Sequence, residues 1–461
     1  MIGVVGTIFS LALLIFLVYR GWGVIQTSFL AAIVVIITNN TSSNFSNFFT
    51  AFKSYFLGIP QLLEGGTYSA ATGLSGFISS NLFIIITGAL FGTIMAECGA
   101  AKSIAYGVSK RFGAKNAIMI TIIASTVLTA GGISAFVCMF TVFPLVINLF
   151  KEADIPRKYL IGAYFTGAST FTVCTLPGIP TVHNLTPTPY LGTTIMAAPL
   201  TGIICSVFTF TACYIYLKTS SKRAIARGEH FVVNNDTDAI HLNDVNSTEE
   251  LPPFFLSLIA PIMTIVLSII SNYTVVANGI CSSNDAVSFA LILVTLYCIV
   301  VFRKFIPDIM GTITKGIQSG LGPIFFIGSV VAFGTVVSYT EAYNIFRNFA
   351  LNLRISPYYS TVISVNILAG ITASGLGGLR IFMSSCSEHF IKLGLDPQLF
   401  HRVACMSCVG LDSLPHNGGL VTTLKVMGSD YKESYFVTFI VTTIITLAAA
   451  FLGATIATII T

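Results

Sequence analysis

Two short stretches, Leu176-Pro177-Gly178-Ile179-Pro180 and Leu414-Pro415-His416-Asn417-Gly418, interrupt apolar runs at matching places in two halves of the chain. Proline removes a backbone donor, and glycine makes a non-helical turn cheap. In hydrocarbon, the amides and carbonyls freed this way are tolerated only where protein or a watery cavity meets them. Breaks at corresponding places in two repeats point to the binding site of a secondary transporter.

Other chemistry-bearing residues cluster around these breaks. Two glycine-rich tips, Thr129-Ala130-Gly131-Gly132-Ile133-Ser134 and Thr372-Ala373-Ser374-Gly375-Leu376-Gly377-Gly378, each divide a long apolar run. Helix N-termini at tips and breaks present free N–H groups and partial positive charge, which suit a carboxylate. Gly131, Gly132, Ser134, Thr175, Pro177, Gly178, Ser374, Gly375 and Gly418 are therefore the expected lining, where backbone and hydroxyls approach a small anion. Asn184 and Asn417 are expected as neutral donors to it, with His183 beside Asn184 or at the outer end of its break.

Arg380 reads as the one residue among 23 Lys and Arg that lies within an intramembrane segment. It is either a two-pronged contact to the substrate carboxylate or the partner of Asp412 or Glu388. Asp412 and His416 flank the second break and are the candidates for a coupling proton, and His416 is also expected among the substrate contacts. The competing roles are a helix cap for Asp412 and a hydrogen bond to a freed carbonyl for His416. Glu97 reads as a cytoplasmic interfacial charge, and His389 and His401 as surface groups near the outer mouth. No nucleophile–base triad and no phosphate loop is recognisable, so neither an enzyme nor a cofactor is expected. The ten Cys lie mostly in apolar segments without metal-ligand spacing and read as free core thiols, with no metal site.

These groups must be positioned by membrane helices. With 54% apolar and 9% charged residues, no soluble core of this length could hide the apolar surface. The first segment, 2–18, lacks a basic n-region and a cleavage site and reads as a first span, and Trp22 beside Arg20 as an interfacial anchor. Ten apolar runs can cross: 3–18, 23–38, 76–97, 159–176, 193–217, 254–272, 286–302, 320–340, 398–427 and 434–460. Runs 116–150 and 358–391 are too long. As single helices they would reach about 50 Å at ~1.5 Å per residue, against ~30 Å of hydrocarbon. Folding both at their glycine tips into re-entrant hairpins collects most Lys and Arg on one face; single crossings scatter them. The cytoplasmic side then holds Arg20, the 102–115 loop, 151–158, 218–227, Lys315 and Lys425, and both termini lie outside. The 39–75 segment is expected as an outer loop with a Phe-rich amphipathic piece.

Phe91-Gly92-Thr93 matches Phe333-Gly334-Thr335, Thr129-Ala130 matches Thr372-Ala373, Pro156 matches Pro397, and Leu176-Pro177 matches Leu414-Pro415. The offset drifts only slightly, as in one unit copied with small deletions. The expected fold is an all-α polytopic membrane protein with two inverted-topology repeats. Each repeat has five crossings, a re-entrant hairpin and a broken helix. The first occupies 1–217 (hairpin 116–150, broken helix 159–186), a cytoplasmic linker 218–252, and the second 253–461 (hairpin 358–391, broken helix 398–427). An odd number of crossings turns the second copy upside down.

With these motifs the chain resembles the gluconate permease family of the ion transporter superfamily over nearly its whole length. The likeness rests on 176–180 with Asn184, on the Thr-Ala-Ser-Gly tip at 372–375, and above all on Gly410-Leu411-Asp412-Ser413-Leu414-Pro415-His416-Asn417-Gly418. Its Leu-Pro-His-Asn-Gly form is similar to the branch that carries 3-hydroxybutyrate and other short hydroxy acids. The resemblance implies a homodimer in the inner membrane whose mobile domain moves by an elevator motion. It also implies import of a small organic anion by cation symport. Protons are the expected driver, with sodium as the alternative; gluconate-like sugar acids and di- or tricarboxylates are the alternative cargo. Neither nucleic acid nor a cofactor is an expected partner.

Overall fold

The computed structural model describes residues 2–20, 22–39, 48–57, 73–112, 116–133, 135–233, 250–276, 278–342, 345, 348, 353, 355–372, 374–415 and 417–461, and these are all-helical. The first half contains α1 (Ile2–Tyr19), α2 (Val24–Asn39), α3 (Phe48–Leu57), α4 (Gly73–Glu97), α5 (Ala100–Phe112), α6 (Ala117–Ala130), α7 (Ala135–Glu152), α8 (Lys158–Ser169) and α9 (Pro199–Ala226). The second contains α10 (Phe254–Ser271), α11 (Ser283–Val301), α12 (Ile309–Ser338), α13 (Pro357–Thr372), α14 (Gly375–Lys392), α15 (Pro397–Ser407), α16 (Gly418–Val426) and α17 (Tyr431–Ile460). Among the described residues, six helices are individually long and apolar enough to cross a membrane.

Helix starts are set by local chemistry. Asp308, Asp396 and Asp430 each accept the amide three residues on, from Gly311 (2.9 Å), Leu399 (2.8 Å) and Glu433 (2.9 Å). Such caps stabilise a helix by about 1 kcal/mol each and fix where α12, α15 and α17 begin.

The equivalent helices α4 and α12 pack along each other. Gly316 faces Leu90 and Thr93, Gly320 faces Ile86 and Ala89, and Gly328 faces Leu74 and Phe77. Residue numbers rise along one helix as they fall along the other, so the two copies run antiparallel, as inverted repeats require. Small residues four and eight apart on one helix face let the backbones approach, the usual device where lipid supplies no hydrophobic drive.

Both overlong runs fold back on themselves. In α13/α14, a methyl group on Gly378 would lie 2.3 Å from the Ala369 nitrogen, so only glycine allows the two arms to meet. In α6/α7 the turn passes through Gly132 at φ +94°, a left-handed conformation that glycine adopts at little cost. The first hairpin leans on α8, where Gly167 abuts the Ser125 side chain and the Ile122 carbonyl.

Several expectations need correction. The basic 102–115 loop is largely the helix α5, amphipathic and therefore invisible to a count of apolar runs. The α9 helix continues to Ala226, well into the expected linker, of which 234–249 lies outside the described residues. The crossing expected at 320–340 begins at Ile309, since its many glycines mask the start. After α8 the chain forms only four-residue turns, Phe171–Cys174, Val182–Leu185 and Thr188–Leu191, so the first break has no second half-helix to match α16.

Candidate functional site

A cavity of about 1720 Å³ lies between the two repeats. One end is lined by Glu97, Lys102, Lys110 and Lys315, and the opposite wall by Gly132, Ser374, Gly375, Asp412, Ser413 and Asn417. Lys315 pairs with Glu97 at the exposed end, and Lys102 and Lys110 also line it. The cavity thus connects a basic mouth to both hairpin tips and the second break. Burial between low-dielectric walls focuses such a field on an entering anion.

The second break is braced by its own side chains. Asn366 of α13 accepts the Leu411 amide at 3.1 Å. Asn417 donates to the Asp412 carbonyl (2.9 Å) and accepts the Leu420 amide (2.8 Å), capping α16. Tyr431 donates to the Pro415 carbonyl. The Asp412 carboxylate accepts from Ser413 at 2.8 Å, and its other oxygen lies 3.0 Å from where a Gly375 methyl would stand. A carboxylate therefore already occupies the N-terminus of α14, which Ser374 caps through the Gly377 amide (3.1 Å). His416 and Ser134, both expected in the site, lie outside the described residues. Gly418 opens α16 beside Asn417.

The first break is built differently. Arg402, on α15 of the second repeat, is fully buried. Its guanidinium donates to the carbonyls of Ala197 (2.9 Å), Cys174 (3.3 Å) and Ile195 (3.0 Å) and to the Asn184 side-chain oxygen (2.9 Å). Asn184 in turn donates to the carbonyls of Ile179 and Ile195, at 3.0 Å each. Its amide is committed to the protein. Thr175, Pro177, Gly178 and Asn184 stand outside the cavity wall, as does Gly131, which faces Pro261. The first break instead contributes Pro180, Thr181, Val182 and His183 to the wall.

Arg380 is neither in the cavity wall nor paired with Asp412 or Glu388. It donates to Asn81 of α4 at 2.9 Å, its guanidinium lies 4.8 Å from the Phe77 ring centre, and Glu388 pairs with Lys392. Nor is it the lone buried cation, because Arg402 and Arg157 are more deeply enclosed. Arg157, expected at a cytoplasmic loop, reaches the Met427 carbonyl. His401, expected at the surface, is buried and bonded to Thr193 at 2.6 Å. The signal that could have found Arg402 is its place in an apolar run opposite a break with many freed carbonyls.

All ten thiols are free. Cys174 and Cys408, at the ends of the helical segments that lead into the two breaks, bring their sulfurs to 3.4 Å. The two breaks are therefore entered from one point.

The sequence model for GntP family permeases matches residues 7–365. An uncharacterized transporter of Bacillus subtilis, YxjC, is 28% identical over 95% of each chain. A gluconate permease of Bacillus licheniformis is 26% identical over 47% of this chain and 46% of its own. Among solved structures, the YdaH transporter of Alcanivorax borkumensis, described as having an unusual topology, aligns with a TM-score of 0.53. That alignment has 10% identity and covers 94% of this chain and 97% of that one, a likeness of fold.

Proposed function

Because the chain belongs to the GntP family of permeases, we propose that this multi-pass membrane transporter imports a small hydroxycarboxylate, such as 3-hydroxybutyrate, by proton symport. The observation that carries the reading is the cavity itself: a lysine-lined mouth leading to two hairpin tips, Asp412 and Asn417. With the interior negative, an anion meets about 2.3 kcal/mol of opposing potential per 100 mV, so accumulation requires a co-transported cation.

Asp412 supplies a mechanism. While ionised, it holds the α14 N-terminus and repels a second carboxylate from the same N–H groups. Once protonated, it leaves that positive end to the substrate carboxylate, with Gly375, Ser374 and Asn417 around it. Proton and anion then bind together or not at all. In our reading the hairpins and broken helices move as one elevator body past α4 and α12 in a homodimer. The protein sits in the inner membrane with both termini outside, and its lysine-lined mouth opens to the cytoplasm.

A gluconate-like sugar acid is the second reading. It is favoured by the likeness to a gluconate permease and by the cavity volume, which is generous for a four-carbon acid. Uptake into proteoliposomes decides between them. 3-Hydroxybutyrate, lactate, gluconate and citrate are offered under separately imposed pH and sodium gradients. Saturable accumulation of 3-hydroxybutyrate driven by the pH gradient supports the first reading. Accumulation of gluconate alone supports the second, and a sodium requirement overturns the proton mechanism.

A further inference from the structure

We propose that Cys174, His183 and Cys408 form a binding site for a thiophilic divalent cation of the Zn²⁺ and Cd²⁺ class where the two breaks meet. The ligating atoms of the three side chains all lie within 4.8 Å of one another, and the two sulfurs are 3.4 Å apart. Two sulfurs each ~2.3 Å from one tetrahedral ion stand about 3.8 Å apart, so small side-chain rotations close the set. The sequence hides it, since 174, 183 and 408 have no ligand spacing along the chain.

Two buried thiols in contact would by themselves be core packing. His183 makes the difference. It is half-buried, lines the cavity, and gives an ion a route from solvent to the sulfurs. The Cys405 thiol donates to the His183 carbonyl at 3.4 Å and helps hold that backbone in place. Three protein ligands leave a fourth position open toward the cavity for water, as in sites that admit an exchangeable ligand.

The charge balance is acceptable. Binding displaces one proton from each thiol, and the protons leave through the cavity. A dication with two thiolates is neutral, so the nearby Arg402, which contacts the Cys174 carbonyl, does not oppose it. Because ligands come from both repeats, occupancy ties the two breaks together. The site does not depend on which substrate is carried.

The test uses the full chain in lipid nanodiscs with its thiols kept reduced, titrated with Cd²⁺ and followed by equilibrium dialysis and thiolate-to-cadmium ultraviolet absorption. One Cd²⁺ per chain with that absorption is expected. Cys174→Ser and Cys408→Ser should each abolish it, and His183→Gln should weaken binding about tenfold or more. Cys281→Ser, at a half-exposed thiol elsewhere, should leave it unchanged. Unchanged stoichiometry and absorption in the two serine variants, or no binding by the wild type, would overturn the proposal. Alkylation of the wild-type protein, mapped by peptide mass, tests the same site without relying on any variant folding. Cd²⁺ should protect Cys174 and Cys408 together, and equal labelling with and without Cd²⁺ counts against the site.

Discussion

At the first break a cation borrowed from the opposite repeat, Arg402, takes up the carbonyls of Cys174, Ile195 and Ala197 and the Asn184 side chain. At the second, Asn366 and Asn417 brace the backbone, while Asp412 and Asn417 face the cavity. The two stretches descend from one motif, yet Thr175–Gly178 and Asn184 of the first are closed off around Arg402, with only its Pro180 end on the cavity, while the second keeps Asp412 and Asn417 on the cavity wall. A break in hydrocarbon must have its polar groups satisfied, and the protein can do this itself or leave room for a guest. A copied motif therefore marks the neighbourhood of a site, and the partners of its backbone decide which copy serves it.

Substitutions that disturb each break separately should separate these roles. The largest effect is expected at Arg402→Leu, which leaves several buried carbonyls unmet and should cost on the order of 3 kcal/mol or more. Little folded protein should be recovered after detergent extraction. Arg402→Lys should rescue it poorly, because one ammonium cannot reproduce a planar fork of donors. A stable Arg402→Leu protein would show that the first break does not need that cation.

Asp412→Asn should instead fold and still exchange substrate in counterflow, since the amide keeps the shape of the carboxyl group. It should lose pH-driven accumulation. At 100 mV, inside negative, an uncoupled anion at ~2.3 kcal/mol is excluded about fifty-fold. Undiminished accumulation by this variant would remove Asp412 from the coupling step.

Arg380→Ala should loosen the α4–α14 contact by about 1–2 kcal/mol, through the lost Asn81 hydrogen bond and Phe77 contact, while leaving KM within about twofold. A large rise in KM would bring Arg380 back into the substrate site.

The smallest effect lies away from both breaks, at the exposed loop before α8. His230 bonds to Asp154 at 2.6 Å, and the Phe231 amide adds a second contact. These hold the Asp154 carboxyl below its usual value, the His230 hydrogen bond being the larger cause. A lowered carboxylate contributes stability above its unfolded value, about 4, and loses it as pH falls through the folded one. His230→Ala should thus melt slightly earlier than wild type at neutral pH, and the two melting curves should converge in acid below that range.

Much of the architecture was legible in the sequence, because lipid enforces simple rules. Runs too long for one crossing had to fold at Gly131-Gly132 and Gly375, and the paired motifs fixed the inverted repeat. The site was only half legible. Gly132, Ser374, Gly375, Asp412 and Asn417 do meet in one cavity wall. Thr175, Pro177, Gly178 and Asn184 looked equivalent to their second-repeat counterparts, and nothing local announces that Arg402 has filled their break. Arg380 and His401 were misplaced for a related reason. Position along a helix is read from the sequence, but the direction a side chain faces depends on which neighbour packs there, and both helices pack on partners distant along the chain. The Cys174–His183–Cys408 group is wholly a product of that long-range packing.

The most direct measurement is substrate protection at the open break compared with the sealed one. Thr423→Cys, in the cavity wall, and Asn184→Cys, in the sealed break, are each placed in a Cys281→Ser background. Both are labelled in proteoliposomes with a small maleimide. Thr423→Cys should label readily, and a saturating concentration of the transported acid should slow it several-fold, whereas Asn184→Cys should scarcely react. Labelling of Thr423→Cys that ignores the substrate, or substrate-sensitive labelling at position 184, would contradict the assignment of the binding site to the second break.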